Sequence, residues 1–73
     1  VIEPVVQAQI EALRRAIWRE ERDAADYRRL SEQPNMTTRE TQVFRDHAAA
    51  AQAFADALRA VLGAVQDGAV QNA

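Results

Sequence analysis

A chain of 73 residues with a formal net charge of −2 makes one small domain at most. It carries no global positive field to draw it to nucleic acid or to an anionic membrane, and with no cysteine it can build neither a disulfide scaffold nor a thiolate zinc site. Hydrophobic content is 48%, but alanine supplies much of it and the aromatics are only Trp18, Tyr27, Phe44 and Phe54. Core-forming bulk is therefore scarce, and a chain this short is expected to need partners.

Pro4 suits the first turn of a helix, where its missing N–H costs nothing. From there to Ser31 there is no further proline and no glycine, and strong helix formers dominate. Val6, Ile10, Leu13, Ile17, Ala24 and Tyr27 recur at spacings of three, four or seven, the helical period. Arg14, Arg15, Arg19 and Arg22 are interleaved with Glu11, Glu20, Glu21, Asp23 and Asp26. They read as a solvated face on which Arg19 can pair with Asp23 and Arg22 with Asp26. Trp18 projects from nearly the opposite side to Leu13 and Ile17, among arginines, and reads as an interface residue.

Ser31 to Asn35 reads as a break, because Pro34 disfavours helix at Gln33. Thr37-Thr38-Arg39-Glu40 has the form of a capping box and marks a second helix start. Val43, Phe44, His47, Ala51, Phe54, Leu58, Val61, Leu62 and Val65 form its apolar stripe. Gly68 reads as the end of that helix, with Gln66 to Ala73 as a frayed tail. The expected fold is all-α: an antiparallel two-helix hairpin with helices near 4–31 and 38–66, assembling into a four-helix bundle or larger helical oligomer.

Facing stripes place Tyr27 near Phe44, Ile17 near Phe54, Leu13 near Leu58 and Val6 near Val65. Glu20 then lies opposite Ala51 and His47 opposite Ala24. Both polar groups are expected to face inward about one turn apart, as a hydrogen-bonded pair that fixes the register. On the outer side of the second helix, Ala50, Ala53, Ala57, Ala60 and Ala64 repeat at three-four spacing. Such a small-residue seam would let another helix approach.

No apolar run reaches transmembrane length, and no signal-peptide layout opens the chain. A start at Val1 points to processing or excision from something longer. The expected location is cytoplasmic, with neither membrane nor nucleic acid as partner. No glycine-rich phosphate loop, recognition helix or nucleophile–base arrangement can be assigned, Ser31 and His47 being on different elements without a third member.

Glu20, Ala24, Tyr27 and Leu30, followed by Phe44, Ala48, Ala55, Leu58 and Leu62, resemble a rubrerythrin-type ferritin-like helical hairpin. In that family a metal-binding glutamate lies seven residues before a tyrosine, as Glu20 lies before Tyr27. The resemblance implies Glu20 as a candidate ligand. It also implies a second-helix Glu and His where this chain has Ala51 and Phe54, so it points away from the family's oxidase chemistry.

Two functional expectations follow. The first is a non-enzymatic helical interaction or assembly module, acting as a homodimer or higher oligomer or with another helical protein. Its core would be Val6, Ile10, Leu13, Ile17, Phe54, Leu58 and Leu62, and Trp18 with Ala53 and Ala57 would form a second contact surface. The alternative is a metal-binding bundle holding iron, zinc or manganese with Glu20 and His47 across a symmetric interface.

Overall fold

A computed structural model of the chain describes residues 3–72, and side chains as far as Gly68. Helix α1 spans Pro4–Ser31 and helix α2 spans Thr38–Asn72. The two pack against each other as an antiparallel hairpin, with no strand among the described residues. Its extents are 55 × 15 × 12 Å and its radius of gyration is 16.6 Å, against about 11 Å for a compact domain of this length.

Local chemistry explains the boundaries. Pro4 occupies the first turn of α1, preceded by Glu3, whose side chain makes no capping bond. At the other end Arg28 and Arg29 lie in the last turn, where cations complement the carbonyl end of the helix dipole. The Ser31 hydroxyl donates to the Arg28 carbonyl (2.6 Å), and the Glu32 and Gln33 amides donate to the carbonyls of Arg29 and Leu30. Asn35 takes a positive φ of 68°, a conformation asparagine tolerates better than most residues.

The capping box at the start of α2 forms reciprocally. The Glu40 amide donates to Thr37 Oγ1 (3.1 Å), and the Thr37 amide donates to Glu40 Oε1 (3.2 Å). Helix α2 does not end at Gly68 as expected but continues to Asn72; Ala73 lies outside the described residues. Neither Gly63 nor Gly68 has positive φ, so neither forms the left-handed cap that would stop the helix. Each merely carries glycine's cost in a helix interior, about 1 kcal/mol.

The seam between the helices follows a heptad rhythm. On α1 the buried residues are Ile10, Ile17, Ala24 and Ser31, seven apart, with Leu13, Glu20 and Tyr27 half-buried between them. On α2 they are Ala48, Ala51 and Ala55, flanked by half-buried Phe44, Leu58, Leu62 and Val65. Tyr27 and Phe44 stack, as the expected register requires, with ring centroids 6.3 Å apart.

Phe54 does not join this seam. It is 54% exposed, whereas its neighbour Ala55 is 0% exposed. One residue on a helix is a rotation of about 100°, and α2 turns its alanines, not its bulkiest stripe, toward α1. Small side chains let the backbones approach closely, which pushes Val43, Phe54 and Val61 outward, where each stays about half exposed. Among the described residues only two large side chains, Ile10 and Ile17, are buried, each worth about 1.5–3 kcal/mol.

Because Ala55 has no room beside it, Ala55→Leu is expected to lower the unfolding free energy by about 1–3 kcal/mol in urea titrations. Ala49→Leu, on the exposed outer face, is expected to change it by less than about 0.5 kcal/mol. Equal effects at the two positions would contradict this seam.

Candidate functional site

The hairpin has two unlike flanks. On one, charged side chains cross between the helices: Arg59 reaches Glu21 at 2.5 Å and Arg28 donates to Gln52 Oε1 at 3.1 Å. Arg59 also lies 3.7 Å from Asp56, and Gln52 Nε2 donates to Asp56 at 3.1 Å. All these groups are exposed, so each contact contributes little, on the order of 0.2–1 kcal/mol. Together they mark this flank as solvated.

The pairs expected along α1, Arg19–Asp23 and Arg22–Asp26, are not formed. Asp26 pairs with Arg29 instead. Arg22 lies over the Trp18 ring, 5.3 Å from its centroid, so its aliphatic stem and guanidinium shield part of an indole that is still 63% exposed. Trp18 sits on the same side of α1 as Glu21. Of the outward alanines, Ala50 lines a concavity with Glu20 and His47, whereas Ala53 lies beside Arg28, Gln52 and Asp56 on the charged flank.

The second flank carries Glu20 and His47. Together with Asp23, Tyr27, Ala50, Ala51 and Phe54 they line one open concavity of about 280 Å³. The proximity read from spacing is thus present, but the inward pairing is not. His47 is exposed and Glu20 half-buried, and no hydrogen bond joins them among the described residues. His47 packs flat on Tyr27, ring centroids 5.0 Å apart and planes at 21°. The reason is rotational: His47 falls on the outward stripe with Phe54, whereas Ala48 takes the inward place opposite α1. Asp23 is the member that sequence reasoning missed, although its place three residues after Glu20 on a helix puts both carboxylates on one face.

No group of three or more His, Asp or Glu side chains is close enough to hold a metal ion among the described residues. Ser31 is buried and donates to a main-chain carbonyl, and no base is placed beside it. Leu13, Ile17 and Leu58 belong to the seam inside the hairpin, Ile17 buried and the other two half-buried. Phe54, Ala53 and Ala57 are exposed.

Val43, Phe54 and Val61, three of the exposed large apolar side chains, share one outward stripe of α2. Val43, His47, Ala50, Phe54, Ala57 and Val61 follow one another at spacings of four, three, four, three and four, a second heptad seam about 100° around α2 from the one α1 covers. By length and composition, Thr38–Gly68 is also apolar enough to cross a membrane, with mean hydropathy 1.3 and 17% of the window buried. This corrects the expectation of no such segment. The hydropathy comes from alanines spread among polar residues, which no uninterrupted apolar run reveals.

No protein-family model matches the chain, and neither a curated protein nor a solved structure matches it.

Proposed function

We propose that the chain is a non-enzymatic helical interaction module that works as an oligomer, two hairpins forming a four-helix bundle or more copies a larger helical assembly. The observation that carries this reading is an excess of surface. A compact monomer of 8.1 kDa exposes about 4,500 Å², whereas the hairpin exposes 5479 Å². The difference, roughly 1,000 Å², is close to the ~800 Å² per partner that a standard interface removes. The exposed Phe54, Val43 and Val61 supply an apolar centre for such an interface.

A bilayer would also cover an apolar α2. Against that stand Asp56 and Arg59 near the middle of the helix and the tie of Arg59 to Glu21 on α1. Entering the hydrocarbon would require α2 to part from α1, or to carry in the charges of α1, at several kcal/mol each. Sedimentation equilibrium at several concentrations tests the assembly reading. The expected mass is twice 8.1 kDa or a higher multiple, and a folded monomer at micromolar concentration would sink it.

A second reading, a metal-binding bundle using Glu20 and His47, is favoured by one observation: both line a single concavity, with Asp23 beside them. A single hairpin supplies too few ligands, so a site would need two copies related by symmetry. Iron, zinc and manganese suit carboxylate and imidazole donors. Elemental analysis of protein purified without chelator is the test. Stoichiometric metal lost in His47→Ala supports this reading, and metal-free protein whose melting is unmoved by added zinc, iron or manganese rules it out.

A further inference from the structure

The outward seam of α2 has a symmetry that selects its occupant. Taken antiparallel against itself about a twofold axis at the level of Gln52, the stripe meets a copy of itself in matched layers. Phe54 of one chain faces Ala50 of the other, His47 faces Ala57, and Val43 faces Val61, with every pair repeated across the axis. The two largest side chains thus each meet an alanine, and the valines close the two ends. An in-register parallel pairing would set Phe54 on Phe54 and His47 on His47, with facing alanines between them. That arrangement alternates collisions with gaps, and gaps forfeit packing energy.

We infer that the exposed stripe Val43, His47, Ala50, Phe54, Ala57 and Val61 is a self-complementary docking surface whose partner is the same stripe of a second copy, antiparallel. This rests on the assembly reading above and adds the surface, the partner and the orientation. Three observations support it. The stripe is continuous with the seam that α1 already covers and lies about 100° from it, as two neighbours of one helix in a four-helix bundle require. None of its six positions is an Asp, Glu or Arg, so the facing layers set no like charges on one another, and the carboxylates of Glu20 and Asp23 stand at the border of the contact. The surface in excess of a compact monomer is about what one such contact removes. In this pairing the Glu20–His47 concavity, lined partly by Ala50 and Phe54, borders the contact.

The chain has no cysteine, so introduced thiols report position without background. Val43→Cys and Val61→Cys replace exposed side chains, and circular dichroism verifies that each variant keeps its helicity. Residues 43 and 61 are 18 positions apart on one helix, about 27 Å, far beyond disulfide reach. Under mild oxidation the expected result is a disulfide-linked dimer in an equimolar mixture of the two variants and none in either alone. Efficient linking of V43C with itself would show a parallel pairing and overturn the inference. A dimer by sedimentation that gives no link in the mixture would overturn this surface while leaving the assembly reading intact. A monomer by sedimentation would defeat both. Pelleting of wild-type protein with phosphatidylcholine vesicles, without linking in the mixture, would assign the stripe to a bilayer instead.

Discussion

The close approach of two helices through alanine is the constraint on which the rest of the structure depends. Ala24 on α1 and Ala48, Ala51 and Ala55 on α2 are all buried, and they sit where bulkier side chains would hold the backbones apart. That approach sets the rotation of α2 about its own axis. Once the alanines face inward, Val43, His47, Phe54 and Val61 have nowhere to go but the flank. The intramolecular core is therefore thin, and the apolar surface outside it is large.

This division explains the character of each polar group. Glu20 is half-buried because it shares the α1 seam with Ile17 and Ala24, while His47 is exposed because it shares the outward stripe with Phe54. The imidazole finds a flat apolar neighbour in the Tyr27 ring rather than a carboxylate. On the opposite flank the crossing contacts from Arg59 and Arg28 align the helices in water. The hairpin thus presents one flank of crossing charged contacts and one on which apolar side chains are exposed.

Much of the fold was legible because it rests on local chemistry with few alternatives. Pro4 at the helix start, the break before Pro34 and the Thr37–Glu40 capping box each depend on a handful of adjacent residues. Antiparallel pairing then followed from a short connection, and the Tyr27–Phe44 stack came with it. What could not be read was which of two adjacent heptad stripes on α2 faces α1. Both share one period, and they differ by a single residue. Weighting by bulk selects the stripe of Phe54 and His47, whereas close packing selects the alanines beside it. The expected Glu20–His47 bond failed for that reason alone.

If a second copy covers the apolar flank of α2, as proposed above, the hairpin draws part of its stability from that contact. If folding and association are coupled, stability depends on protein concentration. The direct measurement is the thermal unfolding midpoint followed by circular dichroism at widely spaced concentrations. The expected midpoint rises as the protein is concentrated. A cooperative transition at the same temperature throughout would contradict it, because a hairpin that melts independently of concentration does not rely on a partner.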